Sequence, residues 1–112
     1  MTRVNTGIKF EYQMRDYFKA LGYEVIRSAG SKGAADLIVW KDNLVELIQC
    51  KKGNSPLGAD KTRLRALKTP LGWKRRIYWK RDKDVQVLDV MSGQSKSLSI
   101  SEINKVIKNG RT

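Results

Sequence analysis

Between Asp36 and Lys51 the chain runs DLIVWKDNLVELIQCK, two apolar stretches separated by the polar turn Lys41-Asp42-Asn43. Runs this short, bounded by turn residues, are strands, and so short a turn makes them pair as neighbours. Side chains alternate along a strand, so Leu47, Gln49 and Lys51 share one face of the second run while Glu46, Ile48 and Cys50 share the other. Gln49 and Lys51 therefore project together. Glu46 lies on the wrong face to join them, and Cys50 packs as a small apolar residue against a helix. Tyr23 to Ser28 alternates as a further strand, with Tyr23, Val25 and Arg27 on one side. The turn that follows it, Ala29-Gly30-Ser31-Lys32-Gly33, holds two glycines that permit positive φ. It is not a phosphate-binding P-loop, because the GxxxxGK[ST] spacing is missing and no helix pattern follows.

The flanking segments predict helices and two more strands. Phe10, Met14, Tyr17, Phe18 and Leu21 fall at helical spacing, Asn5 or Thr6 is placed to cap the start, and Gly22 suits the left-handed position after the end. Glu11 sits at the edge of that stripe, either as a charge complementing the helix dipole or as a group aimed past the sheet. Lys52-Gly53-Asn54-Ser55-Pro56 is a loop, followed by a short basic helix over Ala59 to Lys68 that Pro70 stops. Strands follow at Arg75 to Lys80 and Val85 to Val90, joined by Asp82-Lys83-Asp84. Ser92-Gly93 turns the chain, and Ser99 with Glu102 forms a capping box that opens a last helix with Ile103, Val106 and Ile107 on one face. The order αβββαββα predicts an α/β fold, a mixed β-sheet flanked by helices. With 112 residues and no repeat or linker, residues 1–112 make one domain.

Composition removes most catalytic chemistries. The chain has no histidine and a single cysteine, Cys50. That excludes Ser-His-Asp and Cys-His catalysis, His-ligated zinc, paired-thiolate zinc and an intrachain disulfide. Carboxylates, lysine and a hard metal held by oxygen remain. The net charge is +12, and residues 51–83 hold twelve basic and two acidic side chains, a net of +10. A solvated face would interleave both signs, so the concentration points to a polyanionic partner, nucleic acid before any other. The basic residues interleave with Trp73, Tyr78 and Trp79 in a strand-like pattern and do not line one face of a long helix, which argues against a membrane surface. No apolar run approaches the roughly 20 residues of a membrane span, and the N-terminus has no apolar stretch of the secretory type. A soluble, cytoplasmic protein is expected.

An acid at 36 and a Gln-X-Lys at 49 to 51 meet at the ends of paired strands, and Glu11 reaches the same point if the first helix packs with its N-terminal turn at that end. Carboxylate and amide oxygens are ligands that magnesium accepts. Such a metal acidifies a bound water and neutralises charge on a phosphodiester under attack, and Lys51 would add a positive charge that positions that water. By spacing alone the same residues read equally well as strand ends reaching solvent.

Glu11 in a first helix, Arg27-Ser28 and Ser31, then Ala35-Asp36-Leu37-Ile38-Val39 and Leu47-Ile48-Gln49-Cys50-Lys51 together resemble the PD-(D/E)XK nuclease superfamily. Over roughly residues 7 to 81 the likeness is to its archaeal-type Holliday junction resolvases, also found in phages and viruses, where the host cytoplasm would be the site of action. The resemblance implies a restriction-endonuclease-like fold and a homodimer that binds four-way DNA junctions by shape and nicks two opposing strands with magnesium, or manganese in its place. It also implies that Glu11, Asp36, Gln49 and the Cys50 backbone carbonyl hold the metal, that Lys51 is the catalytic lysine, and that Ser31 and Arg27 contact the scissile region. Ala35 stands where the name-giving proline would be, a structural position. Gln49 stands where most members have Glu, which leaves two carboxylates and predicts weaker metal affinity or an altered metal preference.

The expected function is thus a structure-selective endodeoxyribonuclease acting in DNA recombination and repair. Lys32, Lys52, Lys61, Arg63, Arg65, Lys74, Arg75 and Arg76, with Arg27, are expected to clamp backbone phosphates, an affinity that falls steeply with salt. A two-fold dimer would match a symmetric junction. Trp73, Tyr78 or Trp79 would stack on unpaired bases at the crossover or sit in the dimer interface, with at least one of them packing in the core. Two other readings share these residues: a flap or replication-associated nuclease of the same superfamily, and a non-catalytic nucleic-acid-binding module in which Gln49 records a degraded site.

Overall fold

The computed structural model describes residues 6–28, 34–53 and 58–110. In chain order its elements are α1 (Thr6–Ala20), β1 (Glu24–Arg27), β2 (Leu37–Lys41), β3 (Leu44–Lys52), α2 (Gly58–Ala66), β4 (Lys74–Lys80), β5 (Asp84–Asp89), β6 (Ser95–Ser99) and α3 (Ile100–Asn109). The six strands lie in one sheet in sequence order. Neighbours are antiparallel except β3 and β4, which run parallel with α2 as their crossover. This is the mixed, helix-flanked α/β sheet that the sequence predicts, with one strand more.

The added strand is β6. Its sequence, SKSLS, offers a single apolar residue, Leu98, which packs on the core while the other four positions are exposed. An edge strand that pairs on one side only, here with β5, is held by its hydrogen bonds and needs no apolar alternation, so period-two patterning is silent about it.

Apolar spacing builds the rest. Phe10, Met14 and Phe18, four residues apart along α1, are all buried, whereas Leu21 lies beyond the helix end and is exposed. Gly22 closes α1 at φ 94°, with its N–H on the Lys19 carbonyl and the Tyr23 N–H on the Phe18 carbonyl. This is the paired bonding of a Schellman cap, which needs a residue that tolerates the left-handed region. Asp42, at φ 54°, does the same for the hairpin that pairs Lys41 with Leu44. The Ser99 hydroxyl accepts the Glu102 N–H at 3.0 Å and caps α3.

The two faces of β3 carry two cores. Ile48 and Cys50 join Phe10, Met14, Phe18, Leu37, Val39, Ile103 and Ile107 beneath α1 and α3. Leu47 joins Leu64 of α2, Ile77 and Val90 on the opposite face. Each fully buried Leu, Ile, Phe or Met contributes about 1.5–3 kcal/mol of transfer free energy, so the sheet is clamped from both sides and its strand ends are held in register. Of the aromatics between basic residues, Tyr78 is a core residue, while Trp73 and Trp79 lie half-buried on the α2 face.

Candidate active site

Asp36 precedes β2 and grips β3 on either side of Gln49. Its N–H donates to the Ile48 carbonyl at 2.7 Å, and its Oδ2 accepts the Cys50 N–H at 2.8 Å. A residue's N–H and C=O leave a strand on the same side, so the Cys50 carbonyl is turned toward the edge where Asp36 sits. The carboxyl of Asp36 is raised above the usual aspartate range. Burial is the main cause and outweighs the Cys50 N–H and the positive charges of Lys51 and Arg27; Asp60 adds to the rise.

Glu11 comes to the same place from α1. The helix stripe turns Phe10 and Met14 inward, which leaves Glu11 on the flank that passes over β1, and there its Oε1 accepts Arg27 Nε at 3.1 Å. The Arg27 guanidinium also lies 5.0 Å from the Tyr12 ring centroid. Burial raises the Glu11 carboxyl and the negative charge of Asp36 raises it further, while Arg27 pulls it down. Two carboxylates from different elements therefore repel each other at one point. Cys50 lies under both: burial pushes its thiol well above the ordinary range, and the fields of Asp36 and Glu11 push it in the same direction.

Lys51, two residues beyond Gln49 on the α2 face of β3, reaches Asp60 Oδ2 at 3.3 Å. Asp60 is only 4% exposed and takes Arg63 at 3.2 Å on its other oxygen. It was not singled out in the sequence, where it counts as one of two acids in a basic stretch. A signal exists: Asp60 stands four residues before Leu64, so the two share the inward side of α2. The Gln49 amide is half-buried and makes no hydrogen bond to any described residue.

Glu11, Asp36 and Lys51 thus lie within one another's reach around Asp36, with Arg27 beside them and Gln49 on the strand face that Lys51 shares, and Glu46 is on the far face as its parity requires, bound to Tyr78 and Arg76. Ser31 and Lys32 lie outside the described residues. The expected phosphate clamp divides in two. Lys52, Arg63, Arg65 and Lys74 are exposed and Lys61 is half-buried. Arg75 instead fastens the end of α2, donating to the carbonyls of Leu64 and Arg65 and to the Thr69 hydroxyl. Arg76 pairs with Glu46 and Asp89, and Arg65 also donates to the Val90 carbonyl.

Compared with known proteins, residues 3–75 match a restriction endonuclease family, the Mrr catalytic domain. The chain belongs to this family. Its restriction endonuclease domain is a nuclease domain of the PD-(D/E)XK class, in agreement with the motif order in the sequence. Among solved structures it is similar to Hjc, a Holliday junction resolvase from the archaeal hyperthermophile Archaeoglobus fulgidus. That match has a TM-score of 0.61 at 17% identity and covers 90% of this chain and 89% of the other. At that identity the likeness speaks for the fold. No curated protein matches. No helix among the described residues is long and apolar enough to cross a membrane.

The restriction endonuclease domain offers a donor set that suits a hard divalent cation. Among the described residues no three Asp, Glu, Cys or His side chains gather as a metal cluster. Two carboxylates do come close, each with one oxygen bonded and the other without a partner among the described residues, near an amide that likewise has no described partner and a backbone carbonyl turned the same way. A cation placed between mutually repelling carboxylates relieves their repulsion and takes oxygen ligands of the kind magnesium prefers.

Proposed function

We propose that this domain is a magnesium-dependent endodeoxyribonuclease that resolves four-way DNA junctions by paired, symmetric nicks as a homodimer. The observation that carries the reading is the convergence of Asp36, Glu11 and Lys51 at the strand end where Asp36 brackets β3. Family membership supports phosphodiester cleavage, and the fold shared with a junction resolvase supports the choice of substrate.

In this reading Glu11, Asp36, Gln49 and the Cys50 carbonyl hold magnesium, with manganese as an alternative. The metal supplies charge neutralisation at the scissile phosphate and an acidified water. Gln49 contributes an oxygen without charge, so the site binds the metal less tightly than a three-carboxylate site. Lys51 orients the attacking water and adds positive charge where the phosphate accumulates negative charge. Arg27, released from Glu11, and Ser31 contact the strand to be cut. Lys32, Lys52, Lys61, Arg63, Arg65 and Lys74 grip the flanking phosphates. Arg75 and Arg76 act from within the fold, shaping the surface that the others present.

Phosphate contacts of this kind bring affinity and little sequence readout, so selectivity rests on the shape of the DNA. The test is cleavage of a synthetic four-way junction, a flap and a linear duplex of the same sequence in magnesium. Preferential paired nicking of the junction is expected. Equal cutting of all three would remove the junction from the proposal and leave a general or flap nuclease. Tight binding without cutting in any divalent metal would leave a nucleic-acid-binding module.

A further inference from the structure

The geometry points to Asp60 as a positioning residue for this site: its buried carboxylate fixes the Lys51 ammonium on the α2 face of β3, where the lysine must stand to act beside Asp36 and Gln49. The inference rests on the nuclease reading of Lys51 and adds the residue that orients it.

A lysine is a point charge on a flexible stem with three donors, and one left free loses much rotamer entropy when it must be ordered. Lys51 stands near the end of β3, still 27% exposed, and without a partner it would sweep the solvent. Asp60 reaches it from the first turn of α2 with Oδ2, while Oδ1 is kept in place by Arg63. Burying a carboxylate to 4% exposure carries a desolvation cost that its ion pairs offset only in part, so the fold gains little from the pair itself. Anchoring α2 does not require it. Leu64, one turn further on, is fully buried against the Leu47 and Ile77 core, and Arg75 ties the end of the helix through the Leu64 and Arg65 carbonyls.

What Asp60 supplies, alone among the described residues, is an ion pair that holds Lys51. The ammonium that Asp60 holds at 3.3 Å is close enough to act on the Asp36 carboxylate. A cation held this way is preorganised and needs no reordering when the phosphate arrives. Supporting partners of catalytic groups commonly contribute about 10–100-fold in activity.

The test compares wild type, Asp60→Asn and Asp60→Glu in two measurements. The first is side-chain NMR of Lys51 in the metal-free protein. The wild type should show two distinct Hε shifts, the mark of an immobilised side chain, and Asp60→Asn should collapse them to one averaged signal. The second is single-turnover and steady-state cleavage of the junction in magnesium. Asp60→Asn should lower kcat by about 10–100-fold with KM unchanged, and Asp60→Glu, which keeps the charge, should recover part of the loss. A folded Asp60→Asn that cuts at the wild-type rate, or that changes KM alone, overturns the inference. So does an averaged Lys51 signal in the wild type, which decides the matter even if the variant does not fold. A wild type that cuts no DNA defeats the nuclease reading instead, and the Lys51 spectra still report whether Asp60 holds the lysine.

Discussion

Two acidic centres flank the same hairpin, and they are built to opposite ends. On the α1 face of β3, Glu46 is almost wholly buried and neutralised by a cation: its Oε1 accepts Tyr78 Oη at 3.1 Å and Arg76 Nη1 at 3.2 Å. Arg76 also lies 3.6 Å from Asp89, whose carboxylate accepts the N–H groups of Met91 and Ser92. At the end of the hairpin, Asp36 and Glu11 share one point with charges of the same sign, and their partners only partly offset burial. The first arrangement spends its charges on the fold. The second leaves negative potential and unused oxygens at the surface of the sheet, which is what a site for a cation and a phosphate requires.

The largest expected difference between the centres is in activity. Asp36→Asn and Lys51→Ala should each lower cleavage by about 10²–10⁴-fold, the range for removing a general acid-base or electrostatic group, with junction binding retained in gel shift. Glu46→Gln should leave the rate per folded molecule at the wild-type value, and a comparable loss there would erase the distinction. Stability should divide the other way. Glu46→Ala strands the Tyr78 hydroxyl and leaves Arg76 with Asp89 alone among the described acids, and should lower the unfolding free energy by about 1–3 kcal/mol, measured by urea titration. Tyr78→Phe removes one of the two donors and should cost about 0.5–1.5 kcal/mol.

The pH dependence sharpens the contrast, because Asp89 of the first centre is shifted in the opposite direction to Asp36 and Glu11. Burial raises the Asp89 carboxyl, but the Ser92 and Met91 N–H groups and Arg76 more than offset it and hold it below the ordinary value. Its contribution is present above the unfolded aspartate pKa and is lost as pH falls through the depressed folded value. Glu11 and Asp36 are raised, so the folded state binds their protons more tightly than the unfolded chain. They favour folding when protonated and oppose it as pH rises through their folded values. At neutral pH and without metal, Asp36→Asn should therefore melt at or slightly above the wild-type temperature, and more so than at acid pH. Added magnesium should raise the melting temperature of the wild type and not of the variant. A variant that melts well below wild type at neutral pH would place Asp36 with Glu46 as a structural acid.

Most of the fold was legible because its signals are periodic. Phe10, Met14 and Phe18 at helical spacing, and the alternation from Leu47 to Lys51, report directly which face is buried, and that parity separated Glu46 from Gln49 correctly. The edge strand β6 was not legible, since SKSLS has nothing to alternate. Leu21 shows the limit of spacing, for it continues the stripe in number after Gly22 has ended the helix. In the candidate site, strand parity placed Gln49 and Lys51 on one face and motif order drew in Asp36 and Glu11. The ion pairs were not legible, because a charge count cannot show that Arg75 and Arg76 turn into the fold while Lys52, Arg63 and Lys74 stay out. Asp60 was hidden for the same reason. Its burial depends on how α2 lies across the sheet, and Leu64 sets that.

The acid pair and the lysine where β2 begins and β3 ends must cut DNA if this domain is a junction nuclease. The most direct measurement is strand cleavage of a labelled synthetic four-way junction with and without magnesium, by wild type and Asp36→Asn. Paired nicks on opposing strands by the wild type, only when magnesium is present, are expected, with a bound but intact junction for Asp36→Asn. Equal cleavage by both proteins, or an intact junction tightly bound by both in every divalent metal, would contradict this expectation.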